Sequence, residues 1–159
     1  MSSVADAIVK HLREAGVAAI FGMPGGGTNL DIIEAAGHIG LPFVLTATET
    51  GAAIAAIAQA EITGKPGACL TTLGPGVASI VNGVACASLE RAPVIVITDG
   101  APAPGTFEHQ RLDHRALLAP VTKYSAAITA DNVDEVMREA IAHAIADPPG
   151  PVHLDLSVR

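Results

Sequence analysis

Along most of its length this sequence repeats one pattern: a short apolar run, a turn rich in glycine, then a longer stretch with an apolar stripe at helical spacing. Residues 17–21 and 93–98 are apolar throughout rather than alternating, which marks strands buried on both faces. Residues 41–46, 68–72, 121–129 and 152–156 read as further strands. Between them fall the helices. The first is capped by Ser2 or Ser3, carries Val4, Ile8, Leu12 and Ala15 on one stripe, and stops at Gly16. A second starts at a Thr28 or Asn29 cap and ends at Gly37; a third spans 49–62; a fourth runs from the 73–76 loop to about Ser88. The last, capped by Asp131 or Asn132, puts Val133, Val136, Met137, Ala140, Ile141 and Ala144 on one face. Residues 99–113 read as irregular. Such alternation implies right-handed crossovers and a parallel sheet covered by helices on both sides, a three-layer α/β domain. With 159 residues, the chain fits a single domain over 1–159.

Ligands of such sheets bind in the loops at the carboxyl ends of the strands, here 22–27, 46–49, 73–76 and 99–113. The glycine-rich 22–27 loop invites a phosphate reading, but it fails both patterns that would support one. Thr28-Asn29 stands where a Walker A loop needs Lys, and a GxGxxG match from Gly25 would need its third glycine at Leu30. A tight strand-to-helix turn is the better account. Glu49 is the residue that stands out, at a strand end and a helix start, followed by Ala-rich sequence. A first-turn glutamate favoured by the helix dipole explains it without function. A carboxyl at the sheet rim among alanines, raised in pKa by desolvation and able to hold or share a proton, is the functional reading.

Composition narrows the remaining classes. A net charge of −7 with scattered Lys and Arg argues against nucleic acid and against a polybasic membrane signal. The N-terminus lacks the basic start and apolar run of a signal peptide, and no apolar run reaches transmembrane length. A cytoplasmic protein is the expectation. Cys69 and Cys86 have no metal-binding spacing and read as two buried, reduced thiols. His109 and His114 read as a surface loop with two histidines, and the other four are dispersed. Only 16% of residues are charged, against ~25% for a soluble domain, so some apolar surface is expected to face a partner.

Taken in order, Gly22-Met23-Pro24-Gly25-Gly26, Thr48-Glu49 with its Ala-rich helix, Thr63-Gly64-Lys65-Pro66-Gly67 and Thr71-Thr72-Leu73-Gly74-Pro75-Gly76 resemble the N-terminal, pyrimidine-binding (PYR) domain of acetolactate synthase, benzoylformate decarboxylase and related thiamine-diphosphate enzymes. His109-Gln110-Arg111-Leu112-Asp113, with Pro120-Val121-Thr122-Lys123, is similar to the acetolactate synthase branch, and 150–156 looks like the closing strand of that family. The resemblance covers nearly the whole chain and implies a flavodoxin-like fold.

It implies, further, that Glu49 hydrogen-bonds the ring nitrogen of the cofactor's aminopyrimidine and so promotes the ylide that attacks a 2-oxo acid such as pyruvate. Pro24, Thr72, Gly76 and Ser79 match cofactor-binding positions. Gly25, Gly26 and His109 fall on the substrate-side loops, and Gln110 matches a glutamine that points toward the reacting centre. Thr48 stands where the family often has His, Gln59-Ala60-Glu61 replaces an aromatic–Ala–Arg run, and Ser79 stands where Asn is common. Family members are several times longer and bind Mg²⁺ and diphosphate through a GDG…NN motif in another domain. Here Thr98-Asp99-Gly100 is not GDG and no Asn-Asn pair occurs. The resemblance therefore implies that the middle and diphosphate-binding domains are absent from this sequence. The Mg²⁺ ligands would then come from an absent domain or partner chain, the protein being either a fragment or the small subunit of a two-chain enzyme, inactive alone. A homo-oligomer is the other partner expected. The alternative is a non-catalytic nucleotide-binding or dimerisation module of the same α/β fold.

Overall fold

A computed structural model of the chain describes residues 3–100 and 109–156. Among them, strands β1 (Ile20–Met23), β2 (Phe43–Leu45), β3 (Gly67–Thr71), β4 (Val94–Asp99), β5 (Tyr124–Ile128) and β6 (Val152–Leu156) form one sheet in the order β2-β1-β3-β4-β6-β5. Every neighbouring pair is parallel. Helices α1 (Val4–Glu14), α2 (Thr28–His38), α3 (Glu49–Thr63), α4 (Pro75–Leu89), α5 (His114–Leu118) and α6 (Val133–Ile145) cover both faces. This is the three-layer, flavodoxin-like arrangement that the sequence implies.

The period of two along each strand divides the core in half. Ala68, Leu70, Ile95, Ile97 and Leu154 face α1, α2 and α6, whereas Cys69, Val94 and Val96 face α3, α4 and α5. Both faces of the central strands are thus apolar, which is why their sequence reads as continuous runs. Burial pushes the Cys69 thiol up to about 12, so it is inert as a thiolate. Cys86 is only half-buried, which corrects the expectation of two buried thiols.

Several elements differ from expectation for identifiable reasons. The first strand begins at Ile20 rather than 17, because Gln59 of α3 takes over the preceding backbone. Its Oε1 accepts the Ala18 N–H at 3.2 Å and its Nε2 donates to the Ala19 carbonyl at 3.2 Å. Helix α1 is capped by Ser3, whose side chain and that of Asp6 exchange backbone bonds in a capping box; Ser2 lies outside the described residues. Neither Thr28 nor Asn29 caps α2. Gly27 holds the cap position and supplies no side chain, so Asp99, from the end of β4, substitutes for one: it accepts the Thr28 hydroxyl and the Asn29 N–H, the latter at 3.1 Å. Asn132 precedes α6, yet its side chain bonds back to Thr129 and Ala127. The irregular stretch expected over 99–113 ends where α5 begins, capped by Asp113, which accepts the Ala116 N–H at 2.9 Å. Residues 101–108 of that stretch lie outside the described residues. Among those described, no helix is long and apolar enough to cross a membrane.

Candidate functional site

The site is built where α3 and α4 start side by side, at the carboxyl ends of β2 and β3. Thr48 caps α3 by accepting the Gly51 N–H at 3.0 Å, which sets Glu49 as the first helical residue. Glu49 is half-buried rather than enclosed. The Ser79 hydroxyl on α4 donates to Glu49 Oε2 at 2.8 Å, and the Thr50 hydroxyl donates to the Ser79 carbonyl at 2.6 Å. The two helix starts are therefore laced together. Glu49 Oε1 accepts no hydrogen bond among the described residues.

What that oxygen faces is set by Gly76. A Cβ on Gly76 would stand 3.6 Å from Glu49 Oε1, 2.6 Å from Thr71 Oγ1 and 2.9 Å from Thr72 Cγ2. Gly76 therefore packs directly on Thr71 and Thr72, with Glu49 Oε1 just beyond, and no side chain fits there. Thr71 Oγ1 is buried and has no hydrogen-bond partner among the described residues, a state that costs about 1–3 kcal/mol. Gly76 thus stands between a buried hydroxyl and a carboxylate oxygen, neither with a hydrogen bond among the described residues.

The other expected site residues divide. Gly25 belongs here: a Cβ on it would lie 2.4 Å from Thr72 Oγ1, so the first glycine-rich loop packs directly on Thr72. Gln110 also comes close, because its carbonyl lies against Gly74, where a Cβ would stand 2.1 Å from that oxygen. Pro24 is half-buried and Gly26 exposed, at the rim of the same loop; His109 is exposed. Among the described residues, no hydrogen bond joins Pro24 or Gly26 to Glu49.

His114 is no surface histidine. It is fully buried, accepts the Gly74 N–H through Nε2 at 2.9 Å, and lies 3.1 Å from Asp155 Oδ1 through Nδ1. Asp155 Oδ1 also accepts the Thr98 hydroxyl at 2.9 Å, Thr98 Oγ1 lies 2.9 Å from His153 Nε2, and His153 Nδ1 lies 3.0 Å from Ser125 Oγ. Sequence reasoning missed Thr71, Asp99, His114 and this whole chain of groups. Thr71 and Asp99 end apolar strands, and that position was the available signal; His114 opens α5, and its partners Gly74 and Asp155 are remote in sequence.

Burial lowers the His153 pKa to about 4, against the opposing pull of Asp155, with His114 and Arg115 adding to the depression. The unfolded ring titrates near 6.5. Below that pH the unfolded chain takes up a proton that the folded one refuses. The stability held by neutral His153 is therefore full above pH ~6.5 and is lost as the pH falls toward 4, by on the order of 3 kcal/mol. Urea midpoints at pH 7 and pH 5 should show this fall in the parent chain and a flatter dependence in His153→Gln.

Comparison with known proteins agrees with the geometry. The family model described as "Thiamine pyrophosphate enzyme, N-terminal TPP binding domain" matches residues 2–117. A probable acetolactate synthase large subunit of Methanocaldococcus jannaschii is 38% identical over 155 residues, covering 96% of this chain and 26% of that protein. Acetolactate synthase isozyme 2 large subunit of Escherichia coli is 38% identical over 152 residues, covering 94% and 28%. The acetolactate synthase large subunit of Corynebacterium glutamicum is 36% identical over 155 residues, covering 96% and 25%. The chain spans about a quarter of the length of the curated relatives it matches.

Proposed function

The chain belongs to the thiamine pyrophosphate (thiamine diphosphate) enzymes, as their N-terminal TPP binding domain, and from that premise we propose that it is the pyrimidine-binding half of a 2-oxo-acid decarboxylase or carboligase of the acetolactate synthase type. One observation carries this reading: at the start of α3, Glu49 keeps Oε1 without a hydrogen bond among the described residues, beside Gly76 and the orphaned Thr71 hydroxyl. These residues fit a polar heteroaromatic edge. When bound, thiamine diphosphate supplies a carbon nucleophile for a 2-oxo acid such as pyruvate and an electron sink for loss of carbon dioxide.

The part played by this chain is local. Ser79 holds Glu49 Oε2, which leaves Oε1 to hold or share a proton at the pyrimidine ring nitrogen, and that exchange activates the cofactor. Thr72 and Gly76 shape the pocket, Pro24, Gly25 and Gly26 form its mouth, and Gln110 and His109 stand on the substrate side.

The diphosphate end needs a cation, and in this reading Mg²⁺ comes with another domain or subunit. Among the described residues, no group of three His, Cys, Asp or Glu side chains stands together to hold one. That partner would cover the exposed apolar side chains of α3 and α4, Ile54, Ile62 and Leu89, in a homo-oligomer or against the diphosphate-binding domain, in the cytoplasm. The non-catalytic nucleotide-binding alternative is disfavoured because Asp99 already occupies the start of α2, where a phosphate would lie.

Calorimetric titration tests the reading. This chain alone is expected to show no binding of thiamine diphosphate with Mg²⁺, and clear binding is expected once a diphosphate-binding domain of an acetolactate synthase large subunit is supplied in trans. Strong Mg²⁺-dependent binding by the chain alone would overturn the half-site. Tight binding of NAD or ATP, with no response to thiamine diphosphate in either arrangement, would overturn the cofactor.

A further inference from the structure

Glu49 and Ser79 can face each other only if α4 starts in the right place, and little in α4 itself fixes that start. Its cap residue, Gly74, has no side chain to bond the first turn, and its φ of +56° is a backbone state that other residues avoid. Gly74 is also buried, so water cannot take its N–H. His114 takes it instead.

The hydrogen-bond pattern assigns the state of every group behind that contact. His114 Nε2 accepts from Gly74 and therefore carries no proton, so Nδ1 carries the ring hydrogen and donates it to Asp155. Thr98 also donates to Asp155, which leaves its oxygen to accept from His153 Nε2–H. His153 Nδ1 is then free to accept the Ser125 hydroxyl. From β5 to the loop after β3, every donor has an acceptor and none is shared in conflict. A buried network satisfied in this way is stiff and admits few alternatives.

We propose that His114 is a positioning residue for the cofactor pocket: by locking the Gly74 N–H it sets the first turn of α4, and with it Gly76 and Ser79, opposite Glu49. This rests on the reading of the pocket given above. The same lock sets Gln110, whose carbonyl lies against Gly74 and whose chain leads into α5. Without the imidazole acceptor, Gly74 keeps a buried, unpaired N–H, and a shifted loop becomes the cheaper arrangement.

Two substitutions separate the bonds. His114→Gln puts a carbonyl oxygen near the Nε2 position and can still accept from Gly74, while it gives up Asp155. His114→Asn puts an amide near the Nδ1 position and keeps Asp155, while it gives up Gly74. The first readout needs no ligand: amide hydrogen exchange at Gly74 in this chain should quicken about tenfold or more in His114→Asn and change little in His114→Gln. In the assembled enzyme, the thiamine diphosphate activation constant should rise about tenfold in His114→Asn, with kcat within about twofold, and stay near the parent value in His114→Gln.

Equal exchange at Gly74 in the two variants would overturn the lock. Quickened exchange with an unchanged activation constant would overturn the positioning role and leave the cofactor reading standing. An enzyme indifferent to thiamine diphosphate in all three forms would overturn both, and the Gly74 exchange rates would show that the His114 bond was not the cause.

Discussion

Replacing Glu49 with Gln is expected to lower thiamine-diphosphate-dependent turnover of the assembled enzyme by about 10²–10⁴-fold, the usual range for a lost general acid–base group. The substitution is nearly isosteric, and its amide oxygen can still accept the Ser79 hydroxyl that now bonds Oε2 at 2.8 Å. The lacing of α3 to α4 through Thr50 and Ser79 is therefore kept. What would disappear, on the proposed reading, is an oxygen able to take up and return a proton beside Gly76. The bland account of Glu49, a favourable charge at a helix start, predicts something different in kind. Losing it would cost ~0.3–1 kcal/mol of stability and no chemistry. Turnover against thiamine diphosphate concentration, measured beside urea midpoints, separates the two. A variant that keeps turnover within about twofold while losing ~1 kcal/mol of stability would return Glu49 to the role of a helix-capping charge.

Much of the architecture was legible because it depends on period and punctuation. Strands such as β4, buried on both faces, must be apolar at every position, and Gly16 and Gly64 stop helices through left-handed backbone that they adopt without strain. The errors arose where a residue from elsewhere in the chain took a local task. Gln59 satisfies the backbone at Ala18 and Ala19, so the expected first strand loses its first three residues. Asp99 caps α2 from seventy residues away, which no reading of Thr28 or Asn29 can reveal. His114 looked like a loop histidine because its partners, Gly74 and Asp155, are remote in sequence. The capping aspartate at 113 was the one local sign that a helix begins there.

The candidate site divides in the same way. Glu49, Thr72, Gly76 and Ser79 are candidates through motifs that keep their order along the chain, and the fold sets Glu49, Gly76 and Ser79 side by side. Thr71 was not among them, because its importance comes from being buried without a partner beside a glycine, a fact of packing alone.

Gly83→Ala is the substitution expected to damage both fold and site together. Gly83 lies where α4 crosses α3, and a Cβ there would stand 2.5 Å from Ala53 Cβ and 2.9 Å from the Thr50 carbonyl oxygen. Neither is the end of a flexible side chain that can rotate away. The helices must separate, at a cost of about 1–3 kcal/mol for overpacking. Alanine's better helix propensity returns up to ~1 kcal/mol, so the clash decides the sign. At ~2–4 °C per kcal/mol for a domain of this size, the melting midpoint should fall by up to ~10 °C. Gly37 of α2 is the control, since a Cβ there meets no atom within 4 Å and Ala should be neutral or mildly stabilising. The consequence for the site follows from the same displacement. Thr50 bonds the Ser79 carbonyl at 2.6 Å and Glu49 takes the Ser79 hydroxyl, so any parting of the helices near Gly83 pulls on both bonds one turn away. The thiamine diphosphate activation constant should rise along with the loss of stability, and more Mg²⁺ should not restore it. A lower melting midpoint with unchanged activation would mean that the first turns of α3 and α4 hold their geometry independently of the crossing point. The two bonds through Ser79 would then be sufficient to fix the pocket.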